Sequence, residues 1–492
     1  MLLIKDCDIL QYNAEGRWEV ISGDIAVKDG EIFAVGATPE DFTAREIIDG
    51  RGKIALPGFI NAHTHSYANL IKAYGENHPL ETWMYYAFLA GSMEPEDIYL
   101  STLLGCIEMI KSGVTSCIDH LASGLEGLEA ALKAYQEAGI RAVMAPMVSD
   151  KYYYQTLPVK GEDLPAEIKS EFEKTKPKSA AFLIELTETL IKKWHQKDEG
   201  LIGVMPGPSG PQRCSEELLI GLAELARKYD LGLHTHFVET KLQAITAFNR
   251  YGCTMAQYLD RLGILDDRWS LVHSVWLTDE DIRLLGTRGV SVVHNPASNL
   301  TLGSGISPIN KMANNGINIS LGTDGSNCGG NLTIFRSMAL AAMLSKITTP
   351  VHEDWRWSSE VLTMATVGGA RAMRMGEKLG TIETGKKADI ILLDARTSFL
   401  TPRIDLVNQL VYSETGESVD TVIVQGKVIM RNRKITTFNE EEILARAQER
   451  FAFIQEKLQR LIGAAEKQIR FVDGVYKGEI NKELGFHRTA AW

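Results

Sequence analysis

Along the middle of the chain, short apolar runs recur, each followed by a polar or Gly/Pro-rich loop and then a helix-length stretch. The runs are "GFINAHTH", "GVTSCIDH", "IRAVMAPM", "LIGVMPGPSG", "LGLHTHFVE", "WSLVHSVW", "VSVVHNPASN" and "INISLGTDG". Between them lie amphipathic stretches such as "PEDIYLSTLLGCIEMIKSG", "LEGLEAALKAYQEAG" and "SEELLIGLAELARKYD". Strands buried on both faces read as apolar runs, and strand–helix alternation puts helices outside a parallel sheet. Eight such units predict an α/β fold, a (β/α)8 TIM barrel. The chain ends read differently. "DIAVKDGEIFAVG" and "EIIDGRGKIALPG" early, and "GKKADIILLD" and "VDTVIVQGKVIMRNRKI" late, are short strands joined by turns. Neither piece alone can hold a core, so together they predict one small β-sandwich domain built from both ends. The expected limits are 1–56 and 381–436 for the sandwich and 57–380 for the barrel. Residues 437–492 are a C-terminal helix and tail, in which "EEEILARAQERFAFIQEKLQRLIGAAEKQ" reads as one long amphipathic helix.

A chain of 492 residues, 45% hydrophobic, buries a large core. Its net charge of -11 argues against nucleic acid or an anionic membrane as main partner. No apolar stretch approaches the roughly 20 residues that span a bilayer. "MLLIKDCDIL" lacks the pattern of a secretory leader. The six cysteines are scattered without a C-x-x-C pair, which favours reduced thiols in a cytoplasm.

Catalytic groups of such a barrel sit at the C-terminal ends of its strands. Here those ends carry His63 and His65, His120, His234 and His236, His273, His294 and Asp324, seven of the eleven histidines. One buried histidine is ordinarily structural, but a core has no use for so many imidazoles in one layer, and a metal site accounts for them. Residues two apart in a strand share a face, so His63 and His65 converge. His234 and His236 can both do the same. Imidazoles with one carboxylate suit zinc or ferrous iron rather than calcium or magnesium. Glu239 follows His236 by three, within reach of a bound water and a substrate nitrogen. His273 is placed to orient that water. His120, Gln212, His294 and Asn295 fall near the mouth of the barrel. The "DKYYYQTLP" loop (150 to 158) is either a surface or subunit contact or a pocket wall.

Taken in order, "PGFINAHTH", "HTHFVET", "LVHSV", "GTDG" and "GTIETGKKADIILLD" resemble the amidohydrolase superfamily across nearly the whole chain. The resemblance is to its mononuclear aminohydrolase branch, which holds adenosine-type deaminases and triazine hydrolases. It implies His63, His65, His236 and Asp324 as metal ligands, and Glu239, His273 and Asp324 as catalytic groups. "LIGVMPGPSG" has no lysine to bridge two metals, so one divalent metal is implied, zinc first and iron second. "HPLETWM" resembles the deaminases' substrate loop, which makes Glu81 and Trp83 substrate-binding candidates beside His120, Gln212 and His294. The chain departs from those deaminases at "GPSGPQRCS", with Ser209 where they carry histidine. It departs again at "GTDGSNCGGN", with Cys328 and Gly329 after the metal aspartate where they often show a Ser-Asn-Asn run. The implied activity is hydrolysis of a carbon–nitrogen bond in a cyclic amidine: deamination of an N-heteroaromatic small molecule by a metal-activated hydroxide. Dechlorination or alkylamine release from a triazine-like ring is the second reading and cyclic amide opening the third. A catalytically silent metal-binding scaffold is the reading from another class. The expected partners are the N-heterocyclic substrate, water and further copies of the chain in a homo-oligomer.

Overall fold

The computed structural model describes residues 1–87 and 92–489. All eight apolar runs become strands. The first three barrel strands are Phe59–Thr64, Val114–Leu121 and Arg141–Val148. The fourth comes in two pieces, Ile202–Val204 and Gly207–Pro208, interrupted at Pro206. The fifth to eighth are Leu233–Phe237, Trp269–His273, Ser291–His294 and Asn318–Leu321. Every pairing within this set is parallel. Ladder pairing runs through two half-sheets, strands one to four and five to eight. Two seams join them. At one, the His234 N–H donates to the Pro206 carbonyl (3.0 Å). At the other, the N–H groups of Thr323 and Asp324 donate to the His63 carbonyl at 3.1 and 3.0 Å. The second seam is made by residues of the candidate site itself, so closing the barrel brings His63 and Asp324 together.

Outer helices follow the amphipathic stretches. In Glu216–Tyr229 the Ser215 hydroxyl caps the N-terminus by accepting the Leu218 N–H. Leu218, Leu219, Leu222 and Ala226 form its buried stripe. The helix stops at Asp230, whose backbone turns left-handed.

The two chain ends form one nine-stranded sheet, in which Lys53–Pro57 pairs antiparallel with Ile390–Asp394. The sheet curls over a core of its own, shared between Ile4, Ile9 and Ile25 from one end and Ile390, Leu392 and Ile423 from the other. Ile32 closes the curl: its N–H donates to the Lys386 carbonyl (2.8 Å), and its carbonyl accepts from Gly385 (2.9 Å).

The C-terminal region differs from expectation. It forms two helices, Glu440–Ala464 and Glu466–Glu479, that meet at Ala465. Tertiary packing sets the break: after it, Val472 is buried against Tyr85, Tyr154 and Phe172. The tyrosine loop packs under the chain's own last helix, and Tyr152 and Tyr153 line a cavity there. Residues 490–492 of the predicted tail lie outside the described residues. No described helix is long and apolar enough to cross a membrane, and all six cysteines are free thiols.

Candidate active site

The C-terminal ends of strands one, five, six and eight deliver the expected cluster. His63 ends the first strand on the inner face and His65 follows it in extended backbone, so their rings lie 4.7 Å apart, centre to centre. His65 Nε2 is 3.2 Å from His236 Nε2. Asp324 Oδ1 lies 3.2 Å from His65 Nε2 and 3.5 Å from His63 Nε2. Its other oxygen, Oδ2, faces His273 Nε2 at 3.7 Å. The same His273 nitrogen is 3.5 Å from Glu239 Oε2.

Hydrogen bonds behind the rings fix which nitrogen carries the proton. His65 Nδ1–H donates to the carbonyl of His120, and His236 Nδ1–H donates to that of Ser209 (2.7 Å). A carbonyl only accepts, so in each neutral ring the Nε2 lone pair points inward. Two lone pairs facing each other at 3.2 Å repel unless a cation lies between them. His63 Nε2 is buried with no hydrogen-bond partner and turns to the same point. Burial, with the neighbouring imidazoles, lowers the basicity of His63 and His236, which keeps both rings neutral as ligands must be. Burial alone would raise the pKa of Asp324, but the His63 and His65 rings facing it hold its carboxyl well below the usual range. This donor set fits one divalent ion of the zinc type.

Other site residues sit around that point. His234 shares a 2.8 Å contact with His63 Nδ1 and another with Ser270 Oγ (3.1 Å), so it buttresses His63 from behind. His120 holds its ring against His236 and meets the Gly207 carbonyl at 3.2 Å. His273 Nδ1 bonds Asn299 Oδ1 at 2.8 Å. Glu239 is buried, which raises its pKa, and its Oε1 accepts from Ser304 Oγ (3.2 Å).

A cavity of about 210 Å³ opens in front of this group. Its apolar wall includes Tyr67, Leu80, Trp83, Met84 and Leu302, and its polar wall His65, His236, Glu239, His273 and Asp324. Of the expected substrate contacts, Trp83 lines this space. Glu81 sits one layer back, its Oε1 accepting from Thr240 Oγ1 (2.5 Å), and burial pushes its carboxyl pKa up to about 7. His120, Gln212 and His294 are buried and face other residues rather than the cavity. Cys328 packs behind Trp83 and Leu302. Three contributors escaped sequence reasoning: Asn299, Ser304 and the cavity-lining Arg213. Arg213 sits beside Gln212 in "GPSGPQRCS", and a lone cation in a loop after a barrel strand was the available signal.

Comparison with known proteins agrees with this architecture. Residues 54–429 match the model of the amidohydrolase family. The chain is 38% identical over 454 residues to a 5-methylthioadenosine/S-adenosylhomocysteine deaminase of Caldanaerobacter subterraneus subsp. tengcongensis, covering 91% of this chain and 97% of that one. It is 33% identical to a 5'-deoxyadenosine deaminase of Methanosarcina mazei, over 91% and 96% of the two chains. Among solved structures, an adenosine deaminase from Xanthomonas campestris with bound zinc superposes with TM-score 0.79 at 26% identity, covering 93% of this chain and 98% of that one. An atrazine chlorohydrolase from Arthrobacter aurescens complexed with zinc superposes with TM-score 0.83 at 25% identity, covering 92% and 100%. With the matched segment spanning the barrel and its zinc-type donor set, the chain belongs to the amidohydrolase family.

Proposed function

We propose that this protein is a zinc-dependent aminohydrolase that replaces an amino group on an N-heteroaromatic ring with oxygen. His63, His65, His236 and Asp324 would hold the ion. When bound, such an ion polarises water and lowers its pKa from about 15.7 towards about 7. Asn299 Oδ1 accepts a hydrogen bond from His273 Nδ1–H, which leaves a lone pair on Nε2 to accept a hydrogen bond from the attacking water and aim it. Asp324 Oδ2, on the same side, takes the water's proton. Glu239, kept towards its protonated form by burial, gives its own proton to the ring nitrogen beside the attacked carbon. The C–O bond forms as this nitrogen is protonated. The C–N bond then breaks: ammonia leaves with the proton that Asp324 took from the water, and the proton of the new hydroxyl returns to Glu239 as the C=O bond forms. Trp83 and Tyr67 supply aromatic wall for the ring.

The observation that carries this reading is Glu239. A buried carboxyl 3.5 Å from His273 and bonded to Ser304 has no part in holding metal, yet sits where a ring nitrogen must be protonated. A non-catalytic scaffold has no use for it. The relatives named above favour an aminopurine such as 5-methylthioadenosine or 5'-deoxyadenosine, with Ser209 and Cys328 altering how the rest of the molecule is read. Ammonia release from aminated purines, pyrimidines, pterins and triazines is the test. Release from at least one ring class is expected. Chloride or alkylamine in its place would select the triazine-type reading, and inert zinc-loaded protein would select the scaffold. We also infer a cytoplasmic homo-oligomer. Its free thiols support the compartment, and exposed Ile347, Trp357 and Ile404 are apolar surface that a second copy would cover. Light scattering showing only monomer would refute the assembly.

A further inference from the structure

A second cavity, of about 640 Å³, lies beside the ring pocket. Its walls come from the tyrosine loop, residues 171–177 and the C-terminal helix Glu440–Ala464. Two residues line both spaces, Ser149 and Arg213. The ring pocket, at about 210 Å³, is smaller than the roughly 300–1,000 Å³ usual for a ligand site. A substrate larger than its ring has room to extend past this pair into the second cavity.

Arg213 ends a short turn, Pro211–Arg213, and its backbone N–H is fixed on the Gly210 carbonyl at 2.8 Å. Its guanidinium, half-buried, makes no hydrogen bond or ion pair with any described residue. Glu81 and Glu239 feel its charge but are bonded elsewhere. Five donors without an acceptor are a poor use of a partly desolvated cation unless something else supplies the oxygens. Lys151 lines the same second cavity, held loosely by the Gln212 carbonyl (3.5 Å) and Tyr251 Oη (3.4 Å). The one carboxylate on that wall, Glu171, is already paired with Lys174. Three cations thus face one acid, in a chain whose overall charge is -11.

We propose that Arg213, with Lys151 beyond it, seats an oxyanion of the substrate, a carboxylate or a phosphate, while the ring occupies the pocket. The planar guanidinium suits both groups, which accept two parallel hydrogen bonds from it. The inference rests on the aminohydrolase reading for what the ring is, but not for what Arg213 binds. Arg213 is a binding residue for the substituent, and no step of the reaction passes through it.

Matched pairs test it on the zinc-loaded full chain: pterin against pterin-6-carboxylate, and adenosine against adenosine 5'-monophosphate. The wild type should favour an anionic member in kcat/KM by about ten-fold or more, the scale of a charge-assisted hydrogen bond. Added salt should erode that preference. Arg213→Gln should lower the anionic-to-neutral ratio by roughly ten- to a hundred-fold, mainly through KM, with Arg213→Lys between them. A preference within only one pair names the oxyanion. Equal turnover of both members by the wild type, or an equal loss on both in Arg213→Gln, would overturn the proposal. If neither these pairs nor the pyrimidines and triazines release ammonia, the aminohydrolase reading fails separately. Calorimetric binding of the same pairs to wild type and Arg213→Gln then decides the subsite, with no anion preference in the wild type refuting it.

Discussion

Glu239 and Glu81 are buried in neighbouring parts of the pocket wall, and burial pushes both towards the protonated form. Only Glu239 reaches the cavity, so in the proposed mechanism Glu239 is the acid and Glu81 a structural carboxyl. Glu239→Gln keeps the shape and the hydrogen bond from Ser304 but has no proton to give. Turnover should fall on the order of 10² to 10⁴-fold with zinc content unchanged. Near-normal turnover in steady-state assays would remove Glu239 from the mechanism. For Glu81 the consequence concerns stability. Its folded pKa, about 7, lies above that of an unfolded glutamate, about 4.3. Its stabilising share is full below the unfolded value, where both states are protonated, and is lost as pH rises through about 7. Urea unfolding between pH 5 and 7 should show stability declining by up to roughly 1.4 kcal/mol per pH unit from this group, levelling off above about 7. Glu81→Gln should flatten that decline, and an unchanged slope would contradict the assignment. At this scale the sequence was eloquent where local geometry decides: two-residue spacing sends His63 and His65 to one face whatever the rest of the chain does. It was silent where distant segments meet. Asn299 reaches His273 from a helical turn 26 positions later, and nothing in either segment announces the contact.

The elements around the site hold their side chains with strained backbone. Val238, His273, Ser274 and Asp324 all have positive φ (40°, 69°, 50° and 61°), which non-glycine residues seldom adopt. The strain sits just past strands five, six and eight, where it turns side chains toward the metal point. Support comes from the chain's far end. The Arg488 carbonyl accepts the Ile306 N–H (2.6 Å), and the Arg488 guanidinium donates to the carbonyls of Val275 (3.1 Å) and Leu277 (2.5 Å). Trp276 Nε1 in turn donates to the Ser304 carbonyl (2.7 Å), the residue whose hydroxyl holds Glu239. This segment ties together the loops that follow His273 and Asn299. Ending the chain at Glu479 should therefore lower kcat by roughly ten- to a hundred-fold while the circular dichroism spectrum stays native. Full activity in the truncated protein would show that the loops hold themselves. None of this was readable beforehand, because the tail has no periodic pattern and its role lies in backbone carbonyls. The long C-terminal helix was legible as helix, but the turn at Ala465 was not, since both sides are helical by pattern and packing of Val472 sets the angle.

At the scale of the whole molecule, the barrel is pinned to the curled sheet by a buried ion pair. Arg141, at the start of the third barrel strand, donates Nε to Asp389 Oδ2 (2.9 Å) and Nη2 to Asp389 Oδ1 (3.1 Å), just before strand Ile390–Asp394. Removing one partner strands a charge, so Arg141→Ala should destabilise the protein by about 3–5 kcal/mol in chemical denaturation. A loss below about 1 kcal/mol would mean that water reaches Asp389 or that the sheet repacks. The architecture was the most legible feature of the chain, because eight apolar runs separated by amphipathic helices leave few alternatives. Which residues close the barrel was hidden, and that closure is what carries Asp324 to His63. The central claim is that His63, His65, His236 and Asp324 converge on one divalent ion that the reaction needs. Elemental analysis of purified, active protein before and after chelation tests it directly. The account predicts a single tightly held ion per chain, zinc first, with ammonia release lost on its removal and regained on its return. Full turnover by protein free of transition metal and indifferent to chelators would contradict it.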